Sequence, residues 1–278
     1  MQYSVISIHY TTECNLNCSF CYKTRTDKIL EKPRKFWIDL LPYAKKLTNQ
    51  IALGGGEPFI DIPFIKKFGK TCFDNKLIFN VTTNGKILMR LSDKELKSVL
   101  KNITMVSISY DNEKIKDIQD VKKYEKLIKR IQNLTECQVG CNFLINKNTF
   151  YKKGSFANSI SFIFSLGVDR VFVLYPKNLP KIDILKHIDE YAYLDRKFSH
   201  FYVDDLTKMI ITEKKYDNWK HECHYGKNLI SINEQGYVAG CSFDPNNKAL
   251  CLLKKPKDLF KVKRIKIKNR YSCPYLIR

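Results

Sequence analysis

Six times between Val5 and Leu194 the chain passes from a short apolar run of strand length to a longer segment whose apolar residues recur at three- and four-residue spacing. Val5 to Tyr10 precedes the stripe Phe36, Trp37, Leu40, Leu41, Ala44 and Leu47, and Ile51 to Leu53 precedes Ile62, Ile65, Phe68 and Cys72. Leu77 to Val81 comes before a helix opened by Ser92 and Glu95, a capping-box pair, and carrying Leu96, Val99 and Leu100. Met105 to Tyr110 leads to Tyr124, Leu127, Ile128, Ile131 and Leu134, and Gln138 to Ile145 to Ile160, Ile163 and Phe164. Arg170 to Tyr175 leads to a helix around Ile182 to Leu194. Strands that alternate with helices predict a parallel sheet with right-handed crossovers. The chain's 278 residues leave room for about six such units rather than eight, so the expected fold is α/β, a partial (β/α)6 barrel of TIM type. Loops at the carboxyl ends of its strands would then build the site.

From Phe201 the rhythm breaks into short strands and turn residues. A boundary near 196–205 is expected, with the barrel in residues 1–200 and a small cysteine-rich extension in residues 201–278. The ten cysteines are grouped: Cys14, Cys18 and Cys21 near the start, Cys72, Cys137 and Cys141 in the middle, and Cys223, Cys241, Cys251 and Cys273 in the last quarter. Such grouping suits metal chemistry better than a disulfide framework. Residues 1–12 lack the features of a secretory signal, and no apolar stretch approaches the roughly 20 residues of a membrane span, so a soluble, cytoplasmic protein is expected. Forty-nine Lys and Arg against 28 Asp and Glu give a formal charge of +21. That field favours an anionic partner such as nucleic acid, an acidic peptide or an acidic electron donor. The charges are spread over most helices, which also fits a Lys-rich composition without a partner.

The loop after the first strand spaces its thiols as C-x3-C-x2-C, with Phe20 just before the third. Three thiolates on a compact loop can hold three irons of a cubane and leave the fourth open to a small chelate, whereas electron-transfer clusters take four cysteines. The competing readings are a zinc site and reduced core thiols. Zinc wants four ligands, and the nearest other candidate, His9, lies inside a strand. Gly55-Gly56-Glu57-Pro58 follows the second strand, Thr82-Thr83-Asn84-Gly85 ends the third, Ser107, Ser109 and Asp111 mark the fourth, and Asn142 lies on the fifth.

In this order the motifs resemble those of the radical S-adenosylmethionine superfamily, over roughly residues 4–175. The resemblance implies a [4Fe–4S] cluster held by Cys14, Cys18 and Cys21, with S-adenosylmethionine on the fourth iron and Phe20 by the adenine. It further implies that Gly55, Gly56 and Glu57 receive the methionyl ammonium group, and that Thr83, Asn84, Ser109, Asp111 and Asn142 complete the cofactor site. Near the end, a Gly-turn hairpin between Asn228 and Cys241 would bring Cys223 and Cys241 to one end of a small sheet. This is similar to a twitch module, the shorter relative of the SPASM extension, which implies an auxiliary [4Fe–4S] cluster on Cys223, Cys241, Cys251 and Cys273, with His221, His224 or a position left open to substrate as alternatives to Cys251. A zinc-bound or metal-free hairpin is the competing reading. Cys72 and Cys137 are expected in the core, as is Cys141 unless it faces the barrel interior as a hydrogen-atom donor.

Because twitch-bearing enzymes act mostly on ribosomally made peptides, the resemblance points to modification of a peptide or protein side chain, with ferredoxin or flavodoxin as an acidic electron donor. Other readings are modification of RNA or a nucleotide-derived molecule, a glycyl-radical activase, and a non-catalytic iron–sulfur or zinc protein.

Overall fold

The computed structural model describes residues 3–21, 30–111, 114–145, 155–175, 188–204, 207, 226–242 and 250–262. Seven parallel strands follow in chain order: β1 (Val5–His9), β2 (Gln50–Gly54), β3 (Ile78–Thr83), β4 (Met105–Tyr110), β5 (Gln138–Leu144), β6 (Arg170–Leu174) and β7 (Phe201–Val203). Between them run α1 (Arg34–Lys45), α2 (Ile62–Asp74), α3 (Asp93–Leu100), α4 (Ile118–Leu134), α5 (Ser155–Ser165) and α6 (Ile188–Lys197). Three short strands complete one sheet: β8 (Leu229–Ile232), β9 (Tyr237–Ala239) and β10 (Cys251–Leu252), in the order β10-β9-β8-β1-β2-β3-β4-β5-β6-β7. The sheet is open, with β10 and β7 at its two ends.

The first six strands fall within two residues of their expected bounds. The seventh differs: Phe201–Val203 continues the parallel sheet beside β6, one strand beyond the expected break. With three residues and one buried side chain, Phe201, it is too short to show an alternating pattern. The helix expected from Ile182 is described from Ile188. Strand β8 pairs in parallel with β1, so the tail extends the barrel sheet on its opposite side.

Alternation gives the sheet two unlike faces. On one, Ile6, Ile8, Ile51, Leu53, Phe79, Val81, Val106, Ile108, Val139, Cys141, Val171 and Val173 are buried, in one core with Trp37, Leu40, Phe68, Leu96 and Ile131 of the helices. The other, concave face carries Ser7, His9, Ala52, Asn80, Thr82, Ser107, Ser109, Gly140, Asn142, Phe172 and Tyr202, which are register partners across β1 to β7. Cys141 therefore lies on the helix side, and its reading as an interior hydrogen donor is set aside. Burial raises the thiol pKa values of Cys72, Cys137 and Cys141, which behave as small core apolar groups. Among the described residues, no helix is long and apolar enough to cross a membrane.

Candidate functional site

The loop after β2 continues alongside the segment that leaves β1. Gly56 N–H donates to Thr11 O at 2.8 Å and Glu57 N–H to Glu13 O at 2.7 Å. Close approach explains the glycines: a Cβ on Gly56 would stand 1.8 Å from Glu13 O, and one on Gly55, whose φ is +135°, 2.5 Å from Thr11 O. These N–H groups are spent on the cysteine loop. A methionyl ammonium is itself a donor, so in this loop it calls for oxygen acceptors.

Glu57 holds the two loops together. Its side chain is 1% exposed; Oε1 accepts from Phe59 N–H at 3.1 Å and from the Thr83 hydroxyl at 2.7 Å, and Oε2 from Asn84 N–H at 2.8 Å. Burial drives this carboxyl above its ordinary pKa, against the opposing pull of those hydrogen bonds and of Lys114. Asn84 then reaches the cysteine loop, donating from Nδ2 to Asn15 Oδ1 at 2.8 Å, and its carbonyl accepts from the Tyr124 hydroxyl at 2.8 Å. Glu57, Thr83 and Asn84 thus meet as one buried group beside Cys14, whose Sγ is 4.0 Å from Asn84 Nδ2.

A second brace had no signature in the sequence. Glu31 Oε1 accepts from Thr12 N–H at 2.6 Å and from the hydroxyls of Thr11 at 2.9 Å and Thr12 at 3.1 Å. Arg34 donates to Glu31 at 3.2 Å and to Asp61 at 2.9 Å, with its guanidinium 4.7 Å from the Tyr10 ring centroid. Burial pushes the Glu31 carboxyl up, but these hydrogen bonds overcome it and hold it below the ordinary value. The base of the cysteine loop is gripped from both sides.

On that loop Cys14, Cys18 and Cys21 form no disulfide and are of intermediate burial, unlike the enclosed core cysteines. Cys21 N–H donates to Cys18 O at 3.1 Å, closing a turn, and Leu16 N–H lies 3.5 Å from Cys14 Sγ. A cubane takes each thiolate at a different iron, so three thiols on one loop need not converge on a single point, and among the described residues no three such ligands do. Half-exposed thiols, a glycine-lined approach and a backbone donor at sulfur fit a cluster loop.

Phe20 is half-buried with Lys114 Nζ 4.9 Å from its ring centroid, and Lys114 forms a buried ion pair with Asp111 just beyond β4. Ser109 and Asn142 are register partners on the concave face, and Asn142 Nδ2 donates to the Thr82 hydroxyl at 3.3 Å. The expected contact residues therefore form two groups: Gly55, Gly56, Glu57, Thr83 and Asn84 against the cysteine loop, and Ser109, Asn142 and Asp111 along β4 and β5.

In the tail, β8 and β9 form the expected hairpin, turning at Gly236 with φ +89°. Gly226 N–H donates to Gly240 O at 3.0 Å and extends it. Cys241 is half-buried beyond β9, and Cys251 lies on β10 opposite Val238. Burial, then Asp258, raises the Cys251 thiol. Cys223, Cys273, His221 and His224 lie outside the described residues. Ser242 Oγ donates to Ser7 Oγ at 3.3 Å, so the segment after Cys241 rests on the concave face of β1.

Comparison with known proteins agrees with this geometry. Over 288 aligned residues the chain is 27% identical to an uncharacterised protein of Methanocaldococcus jannaschii, covering 96% of this chain and 94% of the relative. A probable GTP 3',8-cyclase of Thermoplasma volcanium is 28% identical over 148 residues, half of this chain and 44% of that protein. Streptococcus suis SuiB bound to S-adenosylmethionine shares the fold at TM-score 0.67 and 18% identity, covering 99% of this chain and 72% of SuiB. SuiB has also been solved bound to its precursor peptide SuiA, with a TM-score of 0.64 at 19% identity, over 87% of this chain and 60% of SuiB. The family model named Radical SAM superfamily matches residues 8–147, half of the chain and every motif from the cysteine loop through β5. The chain belongs to the radical SAM superfamily.

Proposed function

We propose that this radical SAM enzyme abstracts a hydrogen atom from a peptide or protein side chain. Cys14, Cys18 and Cys21 would hold the [4Fe–4S] cluster. S-adenosylmethionine would lie between Phe20 and the groups at the strand ends: Gly55, Gly56, Glu57, Thr83, Asn84, Ser109, Asp111 and Asn142. Bound there, cluster and cofactor would supply one-electron reductive cleavage of the sulfonium and so the radical that takes the hydrogen atom. The chain's own residues set its surroundings. Glu57 keeps the glycine loop and the end of β3 in register, Glu31 and Arg34 fix the cysteine loop, and the concave face takes the substrate.

The observation that carries the peptide reading is the tail hairpin on β1, which sets the Cys241 segment beside the concave face at Ser7. An auxiliary cluster on Cys241, with Cys223 and Cys273, would serve the substrate from there, the residues after β7 forming its module; Cys251 lies in the register row of Val238, Ile232 and Ile8, on the helix side of the sheet. The fold shared with SuiB, solved with a precursor peptide, supports the same reading. A net charge of +21 suits an acidic ferredoxin or flavodoxin as electron donor, and described cysteines that form no disulfide suit the reducing cytoplasm.

A nucleotide-derived substrate is the second reading, favoured by the match to a GTP 3',8-cyclase over half of this chain. The two separate in one experiment. Reconstituted protein is reduced with S-adenosylmethionine in the presence of pooled short peptides or of GTP, and 5'-deoxyadenosine formation is followed. Faster formation with peptides, together with a mass change in a peptide, supports the first reading; stimulation by GTP alone contradicts it.

A further inference from the structure

We propose that Arg170 takes a carboxylate of the substrate on the concave face, an inference that rests on the peptide reading above. Charge is nearly absent from the sheet. The chain has 49 Lys and Arg and 28 Asp and Glu, yet in the ten described strands Arg170 is the one Lys or Arg, and no Asp or Glu lies on any of them. Register fixes its face. Thr82 faces Ser107, Ser107 faces Gly140, and Gly140 faces Arg170. Val171, next along β6, is buried in the core on the helix side, so alternation turns Arg170 to the concave side. Between Arg170 and Ser107 stands a glycine: a Cβ there would lie 2.8 Å from Ser107 Oγ, so no side chain on β5 divides that hydroxyl from the cation's strand.

Arg170 has no counter-charge. The residue is half-buried, so part of its side chain stays within reach of solvent, whereas Nε is enclosed without a hydrogen-bond acceptor. No ion pair among the described residues includes it. Asp169, the preceding residue, spends Oδ2 on Val139 N–H at 2.7 Å. A guanidinium keeps its charge at any working pH, and a buried donor left without an acceptor is costly. The group that meets both needs is anionic and planar: a guanidinium fork takes the two oxygens of a carboxylate, and Ser107 sets a hydroxyl in the same row. The several charges of a triphosphate would call for further cations, and the described strands hold none. An acidic side chain or a chain end brings one carboxylate, and the net charge of +21 draws such a peptide in.

The test titrates full-length reconstituted protein with S-adenosylmethionine, anaerobically and by calorimetry, against acetyl-Gly-Gly-Glu-Gly-Gly-amide, its Gln counterpart, acetyl-pentaglycine with a free carboxyl end, and GTP. The Glu peptide or the free acid should bind about tenfold more tightly than the Gln peptide. Whichever does so identifies the carboxylate as that of a side chain or of a chain end. The preference should vanish in Arg170→Gln and fall in Arg170→Lys, which keeps the charge without the fork, with the fold of each variant checked by guanidinium unfolding. Equal affinity of the three peptides for the wild-type chain, or a preference that persists undiminished in both variants, overturns the site and leaves the peptide reading standing. Arg170-dependent binding of GTP with no peptide binding overturns the carboxylate occupant and the peptide reading together.

Discussion

Glu57→Gln changes one atom and leaves the shape of the side chain intact, yet the hydrogen-bond pattern leaves no good place for the new amide. Oε1 accepts from Phe59 N–H and the Thr83 hydroxyl, and Oε2 from Asn84 N–H. If the amide oxygen stays at Oε1, the NH2 group faces Asn84 N–H. If the amide flips, Thr83 can turn its hydroxyl to accept, but Phe59 N–H then faces the NH2. Either orientation strips one backbone donor of its acceptor in a place where the side chain is 1% exposed. An orphaned buried donor costs about 1–3 kcal/mol. Anaerobic guanidinium unfolding of the metal-free protein should therefore show a lower midpoint with an unchanged slope. The loop carrying Asn84 should also loosen its hold on Asn15, so iron incorporation should fall together with cofactor affinity. A variant as stable as the wild type, with full iron and weakened cofactor binding alone, would refute the clamp and leave Glu57 as a direct cofactor ligand only.

The Glu31 brace should show in the pH dependence of stability. Its folded pKa lies below the ordinary carboxylate value, so its contribution is complete above that value and is lost as pH falls through it toward the folded pKa. Unfolding of metal-free Glu31→Gln should lack this acid-side loss; identical pH profiles for variant and wild type would contradict it. Gly56→Ala would place a methyl carbon 1.8 Å from Glu13 O and should displace the cysteine loop, lowering reconstituted iron and sulfide; full reconstitution would show that the loop yields freely. If the tail carries an auxiliary cluster, iron should approach about eight per chain and fall to about four when Cys223, Cys241 and Cys273 become Ala; about four irons in the wild type, with zinc at the tail, would sink that proposal.

What could be read from the residues in order was local. The six apolar runs, the Ser92–Glu95 cap and the turn at Gly236 each depend on neighbours within a few positions, and the structure has all of them. Glycines at 55 and 56 were equally plain, although the close approach of Thr11 and Glu13 that requires them was not. Residues whose role depends on distant chain carried no such mark. Glu31 and Thr12 are 19 positions apart, towards the two ends of the connection between β1 and α1, and Glu57 and Asn84, 27 apart, meet because β2 and β3 are neighbours in the sheet. The parallel pairing of β8 with β1 joins residues more than 220 positions apart, so no periodicity could announce it.

The account depends most on the cysteine loop, and one measurement tests it directly. Anaerobically reconstituted protein, given a strong reductant and S-adenosylmethionine, should release 5'-deoxyadenosine and methionine, and the variant with Cys14, Cys18 and Cys21 all changed to Ala should release neither. Continued cleavage by that triple variant, or no cleavage by a wild-type chain loaded with iron and sulfide, would contradict the assignment.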